Sequence, residues 1–546
     1  MTSVKADAGV LVHHYRQVLL WPLQLVPQPG VAHARPWELL GAGGPWREVV
    51  DEINGGAALQ ERHYSEFVTF LPYVQRFLYG EARRQGAEED QDCVHRGSPM
   101  RVFRRHDVAA ARIVLHPGSA PMTLQIQHVD LYFFYDLDLV LLNVEVSAQA
   151  MPLPVAQELM YRFGRGYPGG WRSDGEALHC LHRLEWLGND GQVLAESDSQ
   201  QRELFLSFVA EHRAPRIAAH WAFLLEPLVA DLSDRAGTLR YRQIEYYRMP
   251  TMAYLAVDDP RALSRADFVR LGLVTGTAGS DSALPYAEAS LGDFESHHCY
   301  DRFWGEVGAA PRTRYLASGH SLVVIGDAGS EFYACGERGV LSQFRHQHFL
   351  LFLIAHVQKA ALLMFSDRLV DALKRLDLSR PESIKRFKRS IRRSFESLLR
   401  FTHRYWFHEI SEQAHVRALF RMTSRHLDLD ALYEEVKSRS ADMNAYLDAD
   451  SLRRQANTVV RLTVVTILGL IGTITTGFLG MNLIAAADQP LAWRLLGFGA
   501  VLVGTLVLTF FTIGRSKRLS DFLDALSDES LGWRTKAGAL LAVFRR

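Results

Sequence analysis

The chain has 546 residues, 61 basic and 61 acidic side chains, and 48% apolar residues. That length allows several domains and a large core, and zero formal net charge argues against a protein built mainly to bind nucleic acid. Four cysteines, Cys93, Cys180, Cys299 and Cys335, lie far apart with no Cys-x-x-Cys pair, which predicts thiols in a reducing compartment rather than a disulfide framework.

The N-terminus, MTSVKADAGVLVHHYRQ, lacks the apolar core of a secretory signal, so the large N-terminal part is expected in the cytoplasm. Residues 1–342 mix strand-like and helical runs and predict an enlarged α/β domain with insertions. Strands are expected at 18–26, in the pair 122–146 around Asp136, and at 321–327, where β-branched and aromatic residues cluster between turn signals. Segments 63–84 and 202–232 have helical spacing, and 273–293 reads as a loop-rich insertion.

From 343 to 461 the chain reads as a helical stalk. One helix is expected over 348–376, where His356, Gln358 and Lys359 argue against a membrane span. A second starts at Ser379-Arg380-Pro381-Glu382 and runs to about His426. A third opens at Asp428-Leu429-Asp430, and no Pro or Gly follows before Gly469. At 1.5 Å per residue it can run about 75 Å, from the cytoplasm into the first apolar span.

Two apolar runs follow, Leu462–Leu479 and Leu495–Ile513, of 18 and 19 residues. A hydrocarbon core about 30 Å thick needs about 20 helical residues, so both fit a bilayer. The first transmembrane helix is therefore placed at 462–482, a short outer loop at 483–494, the second helix at 495–513 and a basic tail at 514–546. Arg453, Arg454 and Arg461 precede the first span and Arg515, Lys517 and Arg518 follow the second, whereas residues 482–493 carry no basic residue. This asymmetry predicts a multi-pass protein of a bacterial-type inner membrane with both termini cytoplasmic; the alternative is a buried helical hairpin. The tail's GWRTKAGALLAVFRR can form an amphipathic helix on the membrane surface.

Polar residues on the first span define its chemistry. Thr463, Thr466, Leu470, Thr473, Gly477 and Gly480 fall on one stripe at three-and-four spacing. Such a stripe suits helix packing or a water-lined path. The apolar second span favours pore lining by the first, and two helices cannot enclose a pore, so an oligomer is required. At the outer end Asn482 offers a neutral amide oxygen, suited to holding Mg²⁺ through its water shell. Thr473, about 13 Å deeper, offers a second polar ring, and Leu462 and Leu470 offer apolar constrictions that close by dewetting. The competing role for each threonine is a hydrogen bond back to its own helix.

Gly480-Met481-Asn482 at the end of the penultimate span, a second span close behind and a long helical stalk resemble the CorA family of divalent-cation channels, over roughly 345–518. The resemblance implies a homopentamer with a cytoplasmic α/β funnel domain, a pore lined by the first transmembrane helix, and Gly480, Met481 and Asn482 as the outer selectivity site. It also implies closure by cytoplasmic Mg²⁺ held between subunits by carboxylates, for which Asp428, Asp430, Glu434 and Glu435 are candidates beside their ordinary roles as helix caps and solvated charges. Leu479 stands where the family usually has an aromatic residue, Asp488 is the sole acid of the outer loop, and the soluble part is longer than usual. The loop keeps open a zinc-transporting, ZntB-like branch of the same architecture.

The expected function is Mg²⁺ uptake, with Co²⁺ or Ni²⁺ as further cargo, through a pore gated by the cytoplasmic domain. The alternatives are a Zn²⁺ transporter and a membrane-anchored sensor or scaffold. Expected partners are other copies of the chain, membrane lipid and divalent ions, with no nucleic acid and no cofactor. The basic run Lys385–Arg393, six basic residues in nine, reads as a solvated helix face. His179-Cys180-Leu181-His182 and His297-His298-Cys299 lack the paired spacing of a zinc site. Gly319-His320-Ser321-Leu322-Val323 lacks the final glycine of a nucleophile elbow, and Gly41-Ala42-Gly43-Gly44-Pro45 matches no phosphate loop. No catalytic site is expected.

Overall fold

The computed structural model describes residues 10–26, 35–40, 44–49, 61–80, 98–135, 137–245, 247–277, 284, 286–307, 312–377, 380–480 and 490–514, apart from some side chains in the helices. The chain divides into two compact units, Met1–Ser438 and Arg439–Arg546.

Among the described residues, the first unit is built on one mixed sheet of 14 strands. In chain order these are β1 (Leu11–Val26), β2 (Trp46–Glu48), β3 (Met100–Arg105), β4 (Val108–Val114), β5 (Met122–Phe134), β6 (Leu137–Pro152) and β7 (Arg183–Gly188). They continue with β8 (Val193–Glu196), β9 (Val229–Ala230), β10 (Arg240–Gln243), β11 (Thr251–Val257), β12 (Cys299–Tyr300), β13 (Arg314–Ser318) and β14 (Ser321–Asp327). The spatial order is β12-β13-β14-β11-β1-β6-β5-β4-β7-β8. β10 also pairs with β1, β9 with β10, and β3 with β5 and β2. β11 runs parallel to β14 and β9 to β10.

β1 occupies the middle. It pairs antiparallel with β6 from Leu11↔Pro152 to Gln24↔Leu139 and with β11 from Val12↔Val257 to Leu19↔Thr251. Because side chains alternate between faces, Tyr15, Leu19, Trp21 and Leu23 enter one core and Val18 and Leu20 the other. That double burial gives the near-continuous apolar run of a central strand. The expected strand at 18–26 is its C-terminal half; the polar residues His13, His14, Arg16 and Gln17 concealed the rest.

Helices are, in chain order, α1 (Glu61–Thr69), α2 (Pro72–Tyr79), α3 (Leu153–Phe163), α4 (Arg202–His212), α5 (Ala219–Leu225), α6 (Arg265–Leu273) and α7 (Glu288–His298). Then come α8 (Glu331–Ala334), α9 (Val340–Gln343), α10 (Phe349–Lys374), α11 (Pro381–Arg404), α12 (Ala414–His426), α13 (Leu429–Gly480) and α14 (Leu491–Gly514). α3, α5 and α6 touch the sheet around β1, β7 and β13, while α10 lies over β1 and β6 and carries α11 and α12. Helices 343–438, counted above with the stalk, thus sit in the same unit as the sheet.

α10 is the helix expected at 348–376. It belongs to Val340–Lys374, the one helical run among the described residues long and apolar enough to cross a membrane, but 83% of its apolar window is buried in the protein. Leu351, Phe352, Leu353, Ile354, Ala355 and His356 are all within 1% of full burial, so it is a core helix.

The single helix expected from 379 to 426 is two. Tyr405, Phe407 and Ile410 turn into the core between them, and buried Gln358 Nε2 donates to the carbonyls of Tyr405 (3.0 Å) and Phe407 (3.2 Å). The 202–232 segment also splits, at left-handed Arg213 (φ 55°) and Pro215. Segment 63–84 splits before Pro72, which opens α2. Asp136 and residues 278–283 and 285 of the expected insertion lie outside the described residues, and α7 begins within that stretch.

Candidate functional site

The second unit contains the C-terminal part of α13 and α14. Val464 and Gly472 are buried and Leu468 and Thr476 half-buried, a row at four-residue spacing along one face of α13. A Cβ on Gly472 would come within 3.0 Å of Thr505 Cγ2. The absent side chain lets α14 approach there, as small residues do where helices pack closely.

Thr463, Thr466, Thr473 and Gly477 are exposed, as are Leu462 (67%) and Leu470 (60%). At 100° per residue these positions lie across the helix from the Val464–Gly472 row. Thr463 Oγ1 donates to Val459 O (2.9 Å), Thr466 Oγ1 to Leu462 O (2.9 Å) and Thr473 Oγ1 to Gly469 O (2.8 Å). Back-bonding of the hydroxyl protons is therefore present, and it leaves oxygen lone pairs to accept from water. Gly480 ends α13; Met481 and Asn482 lie outside the described residues.

Large apolar side chains are exposed on both helices: Val459, Val465 and Ile467 join the leucines of α13, and Trp493, Leu495, Val503, Val507 and Phe511 stand on α14. Apolar exposure on this scale marks surfaces covered by lipid or protein. Among side chains that are described, the apolar helical stretches are Thr458–Leu470 and Leu495–Thr505.

Within a single chain, and among the described residues, the four candidate regulatory acids gather into no group. Asp428 has a left-handed backbone (φ 53°), Asp430 Oδ1 lies 3.5 Å from His408 Nδ1, and Glu434 pairs with Lys437 at 3.0 Å. Glu435 is also engaged. No group of three or more His, Cys, Asp or Glu able to hold a metal occurs among the described residues.

His179 Nδ1 meets the Tyr247 hydroxyl at 3.0 Å, while burial pushes the neighbouring Cys180 thiol up to about 12. Ser321 Oγ bonds to Gly272 O and Ser318 Oγ (2.7 Å) in a strand-to-strand turn, not a nucleophile elbow. Residues 41–43 lie outside the described residues. On α11, Phe387, Ile391, Ser394, Leu398 and Phe401 are buried, while Lys385, Arg386, Arg389, Arg392 and Arg393 are exposed, as a solvated basic face requires.

A buried ionic cluster on the α10 side of the sheet was not anticipated. Arg16 Nη1 donates to Glu145 Oε1 (2.5 Å) with both side chains below one-tenth exposed. His128 Nε2 lies 3.7 Å and Arg345 Nε 3.8 Å from the same carboxylate. Arg104 forks onto Asp130 at 2.8 and 3.3 Å. Burial holds the His128 imidazole below its ordinary range, against the pull of Glu145 and Asp130. Arg345 belongs to a π-helical turn, Phe344–His348, a distortion frequent at functional sites. The polar residues at 143, 145 and 147, two apart on β6, were the available sequence signal.

No known family model matches this chain, and no curated protein matches it.

Proposed function

We propose that this chain is a homo-oligomeric channel for a divalent cation, Mg²⁺ in the first instance, with α13 around the axis and α14 outside. Gly480-Met481-Asn482 at the end of a threonine-bearing apolar helix carries the proposal. It is supported by the exposure of Thr463, Thr466, Leu470, Thr473 and Gly477 on the face away from the Gly472 seam. In a pentameric arrangement this face meets the same face of other copies across water, while the apolar side chains of α14 meet lipid. Both termini are then cytoplasmic.

Asn482 amides at the mouth hold the hydrated ion by hydrogen bonds to its waters. Their neutrality keeps affinity moderate, as conduction requires. The threonine oxygens carry the water shell inward, and Leu462 and Leu470 close the path by dewetting. Inward flow is driven by the membrane potential, worth about 2.3 kcal/mol per charge per 100 mV. Asn482→Ala should abolish Mg²⁺ flux into liposomes while leaving oligomer size unchanged by light scattering. Wild-type flux in that variant would reject the assignment.

The outer loop favours a second reading, transport of Zn²⁺ on the same architecture: Asp488 is the only acid between 483 and 494, so little negative charge gathers strongly hydrated Mg²⁺ at the mouth. Competition among Mg²⁺, Zn²⁺, Co²⁺ and Ni²⁺ in the same liposomes decides between them. A chain that passes none of these ions at any potential is instead a tethered sensor.

A further inference from the structure

α10 and α11 flank a cleft of about 580 Å³ against the sheet, within the size range of small-molecule sites. α11 lines it with Ser390, Arg393, Ser394, Ser397 and Arg400, whose three-and-four spacing puts them on one face. α10 adds Arg368, Asp371 and Arg375, and Gln24, Asp138 and Arg242 close the sheet side. Most of these charges already engage one another. Arg368 pairs with Asp138, and Arg242 pairs with Asp367 and lies 3.7 Å from Asp371. Glu396, also in the lining, lies 4.0 Å from Arg392 outside it. Arg400 has a contact of its own. The guanidinium groups of Arg375 and Arg393 form no ion pair among the described residues. Ser394 is only 8% exposed, and its hydroxyl has no hydrogen-bond partner among the described residues. A serine inside a helix commonly bonds back to its own turn, and a buried hydroxyl left unpaired costs free energy.

We propose that this cleft binds a phosphate monoester, its oxygens taken by the Arg375 and Arg393 guanidinium groups and the Ser394 hydroxyl. Two forked cations and a hydroxyl are all donors, so they suit an oxyanion with several acceptor oxygens. A phosphate monoester presents three, with a charge of about −1.5 to −2 near neutral pH. Asp231, the lining acid without an ion pair among the described residues, follows β9, so repulsion places the anion on the helix side. Lys385, Arg386, Arg389 and Arg392 stand exposed on α11 beside the cleft, and their field draws anions toward it. The cleft is roomier than a bare phosphate requires. The phosphate is therefore one end of a larger molecule, either a soluble phosphorylated compound or a lipid with a phosphate-monoester headgroup. Every lining residue belongs to the sheet-bearing unit, and binding there does not require that α13 conduct ions.

The test is isothermal titration calorimetry of the full-length protein in detergent at about 0.15 M salt, where loose surface attraction is screened. Glycerol 3-phosphate is the soluble probe. Mixed micelles carrying phosphatidic acid are the lipid probe, with phosphatidylglycerol, a phosphate diester, as control. Saturable binding of a monoester is expected at one site per chain, with a Kd of about 1 mM or tighter. Arg375→Gln/Arg393→Gln should weaken it about tenfold or more, since two charge-assisted bonds are lost, and Ser394→Ala should weaken it by less. Arg386→Gln/Arg389→Gln, on the exposed face beside the cleft, should weaken it less than about threefold at this salt. Binding of glycerol 3-phosphate supports the site with a soluble ligand, and binding of phosphatidic acid micelles alone supports it with lipid. No saturable binding of either monoester, equal binding of phosphatidylglycerol, or equal losses in the two double variants overturns the proposal.

Discussion

Glu145 shows what a single buried charge does in this protein. Its carboxylate receives Arg16 directly and stands near His128 and Arg345, so it ties β1, β5, β6 and the π-turn ahead of α10 to one point. Removing one partner of a buried pair leaves the other charge unpaired, a loss of about 3–5 kcal/mol. Glu145→Ala should lower unfolding stability by that order in denaturant titration, and Glu145→Gln by less, because an amide can still accept from Arg16. The residue scale was also where sequence was least informative about the soluble unit. Arg16, His128 and Glu145 drew no reading from the sequence. Pairing β5 and β6 places His128 opposite Glu145, and pairing β1 and β6 places Val18 opposite the same residue, which brings Arg16 alongside. Such long-range register leaves no local mark beyond the alternating polar residues 143, 145 and 147 of β6. The reading of Gly480-Met481-Asn482 is of the opposite kind: it rests on three adjacent residues and needs no long-range register.

Helices were legible as periodicity, and their interruptions mostly were not. Pro72 opens α2, since proline suits a first turn and breaks an interior, but the helical spacing of 63–84 carried the expectation straight across it. The break between α11 and α12 has no such residue. Its cause is Gln358 on α10, whose amide satisfies two carbonyls that helix continuation would otherwise engage. Gln358→Leu leaves those buried acceptors without their donor, at about 1–3 kcal/mol. Thermal unfolding of the variant should begin lower, and amides of 405–413 should exchange faster than those of α10. A Gln358→Leu protein with wild-type protection there would show that buried Tyr405, Phe407 and Ile410 suffice to hold the turn.

At the scale of the whole molecule, histidine burial governs the response to acid. His220 is held down to about 4, and His320 and His348 to about 3, in each case chiefly by burial. His356 is likewise held well below its ordinary range, by burial and by the nearby Lys359 and His320. All four sit in the sheet-bearing unit. Because the folded values lie below the unfolded value of about 6.5, unfolding takes up protons as pH drops through that point. Stability is complete above about pH 6.5 and declines below it, by up to about 1.4 kcal/mol per pH unit for each fully titrating histidine. Melting temperature should therefore fall steadily between pH 6.5 and 5, and His348→Asn should flatten the decline. An acid-insensitive melt would mean that these rings keep their ordinary affinity for protons. The division into a mixed α/β part and a helical C-terminal part was visible in composition. The boundary at 438 was not, because the helices of 343–438 have the same periodicity whether they pack on a sheet or form a stalk.

The placement of β1 reaches back to how the polypeptide is made. Its first long partner, β6, starts at Leu137, and its other flank waits for β11, which ends at Val257. At roughly 5–20 residues per second on a ribosome, the strand destined for the centre of the sheet spends on the order of ten seconds or more as a bare apolar edge. Such edges invite pairing with the wrong chain. Shielding of the emerging N-terminal segment is thus a demand that the finished topology places on biosynthesis.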